Sequence, residues 1–218
     1  MTGSRGVVLS AGSLMTTLRA VLEPLLSGSG VLRDGLPWER LEWLVEQWLR
    51  FGRVMNLSGA RDVEALAGQM LESLQVVELA RRLGATEGQR WVDVGSGAGF
   101  PGLVVAACLP VAVVLVEPRE RRAAFLELML AQLGGGCVVR GRLEKTGWEG
   151  RVEGKFEWAS ARAVFAPDRW VEAARGIVAP GGIVVVHLHR GDADPQGLKA
   201  AGVVEGERWS VRGYRCFT

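Results

Sequence analysis

The rhythm of hydrophobic and polar positions changes near residue 90. Before it, apolar residues recur every three or four positions, the period of a helix with one buried face. Leu14–Leu26 carries them at 14, 18, 21, 22 and 25, with Pro24 interrupting the pattern. After the flexible break Ser27–Gly30, the stretch Leu36–Phe51 gathers Leu36, Leu41, Leu44, Val45, Trp48 and Leu49 on one face. Pro37 suits its first turn and Gly52 its end. Asp62–Leu83 reads as a third helix, with Asp62 placed to accept hydrogen bonds from its first turn and Gly84 just past its end.

Beyond Arg90 short apolar strands alternate with helical stretches. Strands are predicted at 91–94, 111–116, 137–140, 156–161 and 183–187, with one or two more at 203–204 and 209–217. Helices are predicted at 100–109, 119–133 and 167–178, with a loop or short helix at 141–149 and a turn at 180–182. The run VAVVLV at 111–116 is continuously apolar, as a strand covered on both faces requires. Such alternation predicts an α/β fold: a doubly wound, mostly parallel Rossmann-like sheet with helices on both faces. The expected division is a disordered stretch at 1–13, a helical extension at 14–84 and the α/β domain at 85–218.

The chain is organised around Trp91–Gly102, WVDVGSGAGFPG, a strand that runs into a glycine turn and then a helix. The glycines let the backbone turn sharply and approach a ligand with no Cβ in the way. Gly97–Gly102 fits the dinucleotide fingerprint G-x-G-x-x-G. Asp93-Val94-Gly95-Ser96-Gly97-Ala98-Gly99 fits instead the acidic-glycine motif of S-adenosylmethionine-dependent methyltransferases. A ligand-free glycine turn is the third reading. The methyltransferase pattern accounts for Gly95 and Ser96, which the dinucleotide pattern leaves over. It also gives Asp93 a purpose, since a carboxylate at the end of an apolar strand is costly without a partner. Asp93 would face the cationic end of the cofactor or organise the loop.

Ligands of such folds bind beyond the carboxyl ends of the strands. The second strand ends in Glu117, about twenty residues beyond the glycines, where a carboxylate can accept hydrogen bonds from ribose hydroxyls. The third leads into Gly141-Arg142-Leu143-Glu144, a loop placed to close over an adenine. The fourth leads into Ser160-Ala161-Arg162-Ala163; an arginine in so apolar a setting needs a cofactor, a substrate or an internal ion pair. His187 and His189, the only histidines, end the 183–187 strand, either as a general base or as ordinary strand-end polar residues.

Net charge is +2, but only three of the 26 basic residues are lysine. Arginine forks phosphates and guanine edges. Three groups stand out: Arg119, Arg121 and Arg122; Arg140 and Arg142; Arg208, Arg212 and Arg215. Each is either a solvated face or part of a patch that follows a phosphate backbone. Three scattered cysteines with no Cys/His pairing predict no metal site and a reducing compartment, the cytoplasm. No apolar run spans a bilayer, and the first residues lack the core of an export signal. A monomer is expected. The tryptophans Trp38, Trp43 and Trp48 are expected in the core.

Together, DVGSGAGFPGL at 93–103, LVEPRERRAAFL at 115–126, GRLE at 141–144 and ARAVFAP at 161–167 resemble the RsmG (GidB) family. Asn56-Leu57-Ser58 with Arg61-Asp62, then Leu71-Glu72-Ser73-Leu74, resembles its helical N-terminal signature. The resemblance runs from about residue 36 to 190. It implies a bacterial methyltransferase that uses S-adenosyl-L-methionine to methylate N7 of a guanine in small-subunit ribosomal RNA, alone or within the small ribosomal subunit. It puts Gly95, Phe100, Glu117, Pro118, Arg119, Leu143, Glu144 and Arg162 on cofactor-contacting positions, beside Asp93, Ser96, Gly97 and Gly99 of the loop itself. Guanine N7 has a free lone pair, so no catalytic base is expected, and Arg162 is expected to orient cofactor or target. The chain departs from the family at Gly68-Gln69, where a basic residue and a histidine are usual, and at His187-Leu188-His189-Arg190, where leucine-lysine-glycine is usual. The resemblance places both departures on the RNA side.

Overall fold

A computed structural model describes residues 11–55, 57–143, 154–195 and 198–216, with side chains from Leu18 onward. Asn56 and Glu144 lie outside the described residues, as do 1–10 and most of the predicted 141–149 segment.

Three helices come first: α1 (Ala11–Leu26), α2 (Trp38–Gly52) and α3 (Val63–Arg82). Helix α1 thus begins before the predicted Leu14. Asp62 caps α3 as its sequence position predicts, accepting a 2.8 Å hydrogen bond from the Ala65 N–H. The alternating part follows: β1 (Arg90–Val94), α4 (Gly102–Cys108), β2 (Ala112–Val116), α5 (Glu120–Leu133), β3 (Cys137–Val139), β4 (Phe156–Ser160), α6 (Pro167–Arg175), β5 (Val178–His189), β6 (Ala200–Glu205) and β7 (Trp209–Arg215). Gly134 ends α5 in the left-handed conformation that glycine favours.

Among the described residues, seven strands form one sheet in the order β3-β2-β1-β4-β5-β7-β6. The first five run parallel; β7 is antiparallel to both β5 and β6, and lies between them. Two points differ from expectation. Helix α6 stops at Arg175 rather than 178, because Gly176 and Ile177 lead straight into β5. Strand β5 absorbs the predicted 180–182 turn as an irregularity in its pairing with β4.

Alternate residues along the strands divide the core into two layers. Trp91, Val113, Leu115, Trp158, Ile183, Val185 and Val211 face α1–α5. Val92, Val114, Val116, Ala159, Val184 and Val186 face the α6 side, with Trp170. Trp91 and Trp158, neighbours on β1 and β4, stack at 5.3 Å. Trp48, as predicted, is buried. The helical N-terminal part is bound to the sheet domain by polar ties as well. Arg40 donates to Ala107 O at 3.1 Å and Leu133 O at 3.0 Å, near the carbonyl-rich ends of α4 and α5 where a cation is favoured.

The order reverses between β1 and β4. The loops that follow those strands diverge there and leave a crevice at the carboxyl edge of the sheet.

Candidate active site

The glycine loop opens at the end of β1. Gly95 N–H and Ser96 N–H both donate to Val116 O, at 2.8 and 3.1 Å, which turns the chain back over β2. Ser96 Oγ donates to Asp93 O at 2.8 Å. Gly95, Gly97 and Gly99 all hold positive φ, the region side chains disfavour. At Gly95 a Cβ would lie 2.5 Å from Val164 Cγ2, so the loop after β4 leans directly on the glycine loop.

Glu117, buried at the end of β2, ties this loop to the next helix. One carboxylate oxygen accepts from Gly97 N–H and the other from Arg119 N–H, each at 2.9 Å. A carboxylate has about four acceptor sites, so capacity remains for hydroxyl donors in the cleft. Phe100 closes the far side of the loop. It stacks on Trp48 at 4.1 Å, and Trp48 Nε1 donates to Ala98 O at 2.7 Å. Helix α2 therefore buttresses the loop, a role its sequence gave no signal for beyond an apolar face.

Asp93 lies beneath the loop, not in the cleft wall. Its Oδ1 accepts 2.8 Å from Ser160 Oγ, which in turn accepts from Trp91 Nε1 at 2.9 Å. Its Oδ2 has no partner. Burial pushes the carboxyl up to about 6, against the pull of the Ser160 hydrogen bond and the Arg162 charge. Gly102 is pressed against it: a Cβ there would meet Asp93 Oδ2 at 2.8 Å and Leu115 at 2.3 Å. Gly99 also lies under the loop, against Leu103.

Arg162 forms the opposite wall. It sits 5.4 Å from the centre of the Phe100 ring and donates to Glu72 Oε2 at 3.0 Å and Gln69 Oε1 at 3.2 Å. The internal ion pair, the alternative to a cofactor or substrate contact for this arginine, is present, and it is made to α3. The sequence singles out Gln69 only as a departure and Glu72 only within the N-terminal signature, neither as a partner of Arg162. The signal was their spacing of three, which sets both on one helix stripe. Ala163, next to Arg162, holds φ 57, a strained value for a residue with a Cβ. His187, on β5, is close enough for Arg162 to act on it. Desolvation and the Arg162 charge push its imidazole down to about 3, a backbone contact to Ala161 offsetting only part. Neither ring nitrogen makes a full hydrogen bond.

These walls enclose an open cleft of about 640 Å3, within the range of small-molecule sites. It is lined by Gly95, Ser96, Gly97, Phe100, Glu117, Pro118, Arg119, Leu143 and Arg162 of the predicted set, together with Arg122 and Arg142. The predicted arginine groups separate. Arg140 pairs with Glu120 outside the cleft. Arg208, Arg212 and Arg215 do not form one patch, because β7 runs from the carboxyl edge of β5 toward its start: Trp209 pairs with His189, and Arg215 with Ile183. Among the described residues no group of three or more His, Cys, Asp or Glu side chains could hold a metal, and no helix is long and apolar enough to cross a membrane.

The sequence profile of GidB, described as rRNA small subunit methyltransferase G, matches residues 38–200. The chain belongs to this family. A ribosomal RNA small subunit methyltransferase G from Halorhodospira halophila is 34% identical over 168 residues, 77% of each chain. Its counterpart from Salinispora arenicola is 39% identical over 160 residues, 71% of this chain and 64% of the relative. An RNA methyltransferase from Salinibacter ruber, solved with S-adenosyl-L-homocysteine, shares the fold. Its TM-score is 0.52 at 16% identity, over 65% of this chain and 90% of that one. Gln69 and His187 lie on two sides of Arg162.

Proposed function

We propose that this RsmG-family chain catalyses transfer of the methyl group of S-adenosylmethionine to N7 of a guanine in small-subunit ribosomal RNA. The observation that carries the reading is the pair of hydrogen bonds by which Glu117 fastens Gly97 and Arg119 across the cleft. They hold a side-chain-free loop open beside a carboxylate with spare acceptor sites. That arrangement fits a nucleoside whose ribose meets Glu117 and whose chain lies over Gly95–Gly97. Pro118, Arg119 and Leu143 border the adenine side, while Phe100 and Arg162 border the methionine side. Asp93 supports the loop from below. When bound, the cofactor supplies an electrophilic methyl group on a sulfonium centre.

The protein's work is then alignment and exclusion of water. The lone pair of guanine N7 needs no proton removed, so the reaction asks for no base. Arg162 is held by three contacts, to Phe100, Glu72 and Gln69, and is a rigid edge against which a purine can be set. The Glu72 carboxylate offsets its charge at 3.0 Å. A purine that becomes cationic on methylation therefore does not face an unpaired cation. Arg119, Arg122 and Arg142 at the rim give the attraction to phosphates that RNA binding draws on.

The test is transfer of labelled methyl from S-adenosylmethionine to small ribosomal subunits that lack their own modification, followed by nucleoside analysis. Label in 7-methylguanosine is expected. Label in another nucleoside, or none with cofactor binding intact by calorimetry, would overturn the assignment of target.

A further inference from the structure

The carboxyl edge of the sheet continues past Arg162 along β5. His187 and His189 point to the same face, about 7 Å apart along the strand. His189, the last residue of β5, pairs with Trp209, the first of β7, and their rings stack with centroids 4.1 Å apart and planes 26° apart. Trp209 is half-buried; His189 lies over it and is exposed. The stack is fixed from both sides. His189 N–H donates to Asp192 Oδ2 at 2.9 Å, and Trp209 O accepts from Gly206 N–H at 2.8 Å. Immediately beyond, Arg190 N–H donates to Arg208 O at 2.9 Å, which sets two exposed arginines side by side. Among the described residues neither arginine takes part in an ion pair, whereas Arg212, on β7, is held by Asp194 at 2.7 Å.

An exposed flat ring, backed by an indole and flanked by two free guanidinium groups, has the chemistry of a single-stranded nucleic-acid contact: a face for a base and cations for its phosphates. A protein partner would need an apolar or acidic complement, whereas a flat face between two cations suits a base together with its phosphates. We propose that His189, stacked on Trp209 and flanked by Arg190 and Arg208, is a second RNA-contact point. On it an unpaired base neighbouring the target guanine stacks, while the two arginines hold its backbone. The inference rests on the ribosomal RNA reading above and adds to it a residue set outside the cleft.

The test compares the full chain with His189→Ala, His189→Trp and the double variant R190A/R208A. Three quantities are measured: binding to protein-free 16S ribosomal RNA at several salt concentrations, KM for small subunits, and S-adenosylmethionine affinity. All three variants change only exposed positions, and equal melting temperatures check the fold. H189A is expected to weaken RNA binding by about tenfold, within the range found for a lost base–aromatic stack. H189W, which keeps a flat face, is expected to restore it. R190A/R208A is expected to lower the magnitude of the salt slope by about 1.4, two single-strand phosphate contacts. The affinity for S-adenosylmethionine is expected to stay at the wild-type value in all three. Unchanged RNA affinity and KM in both alanine variants, with wild type methylating normally, would overturn this contact and leave the proposed function standing. A raised KM for subunits with unchanged affinity for protein-free RNA would also overturn it, and assign the patch to a ribosomal protein. Wild type that binds RNA but transfers no methyl would remove the proposed function, and the binding series would still decide the contact.

Discussion

The loop side of the cleft and the Arg162 side are built in different ways. The loop side is made of backbone. Gly95, Ser96 and Gly97 spend their N–H groups on Val116 O and Glu117, and all the partners lie within about one βαβ unit. The Arg162 side is made of side chains brought from afar: Gln69 and Glu72 from α3, Phe100 from the loop, His187 from β5. Backbone geometry tolerates little substitution: a Cβ at Gly95 or Gly99 would collide with Val164 or Leu103, and Gly97 holds a positive φ. Side-chain geometry can be rebuilt by exchanging partners. One half of the cleft is therefore held by main chain, and the other by side chains whose partners can be exchanged.

The strongest break in that comparison comes at Gly95. Gly95→Ala puts a Cβ 2.5 Å from Val164 and a side chain at φ 71. A strain of order 1–3 kcal/mol, with the Val164 collision added to it, is expected to lower S-adenosylmethionine affinity by up to about a hundredfold, read by calorimetry. Next is Glu117→Ala, which frees Gly97 and Arg119. Loss of charged hydrogen bonds, at roughly 1.5–3 kcal/mol each, is expected to weaken cofactor binding about 10- to 100-fold, with a smaller drop in melting temperature. Arg162→Ala should separate the halves: turnover falls about 10- to 100-fold while cofactor affinity changes less than about threefold. A large loss of cofactor affinity in that variant would mean that Arg162 belongs with the loop, and that the division is drawn in the wrong place.

The smallest effect is on stability against pH, where two buried groups act in opposite directions. The Asp93 carboxyl is raised to about 6 by burial, so the folded state holds a proton the unfolded state has lost. Stability from this site is present below the ordinary value of 3.8 and is lost as pH rises to about 6. His187 is pushed down to about 3, so the unfolded state takes up a proton that the folded state refuses. Its contribution is present above 6.5 and is lost as pH falls toward 3. In chemical denaturation across pH 4–8, Asp93→Asn is expected to gain on wild type between pH 4 and 6 and no further. His187→Leu is expected to flatten the acid limb below 6.5. Parallel curves for wild type and both variants would show that neither group titrates as its surroundings dictate.

What could be read from the sequence follows the same division. The strand-turn-helix at Trp91–Cys108, the buried run at 112–116 and the cap at Asp62 are local: residue type and spacing decide them within a few positions. So is Glu117, which its place at a strand end identifies. The insertion of β7 between β5 and β6 is not local, because nothing in residues 200–215 states which strand they pair with. Nor was the tie between Arg162 and α3 legible. An arginine after an apolar strand demands a partner, but a partner ninety residues away is supplied by tertiary packing. Trp48 looked like core and is core; that its indole N–H also holds Ala98 O depends on the angle at which α2 docks. The split of Arg208 from Arg215 follows from strand direction, which composition cannot report.

The position of β7 also has a consequence for how the chain reaches this state. Leu79 of α3 and Leu83, just past its end, fit against Gly202 and Gly213, glycines of β6 and β7 whose bare backbone lets the helix come close. During synthesis α3 is complete long before those strands exist. The part of its apolar surface around Leu79 must wait while β1 to β5 are made, and is covered only when the closing hairpin inserts its second strand beside β5. The interval is one in which chaperones have something to hold and in which self-association competes with completion. A substitution that slows the hairpin, at Gly202 or Gly213, would then reduce the yield of folded protein more than its effect on the finished molecule suggests.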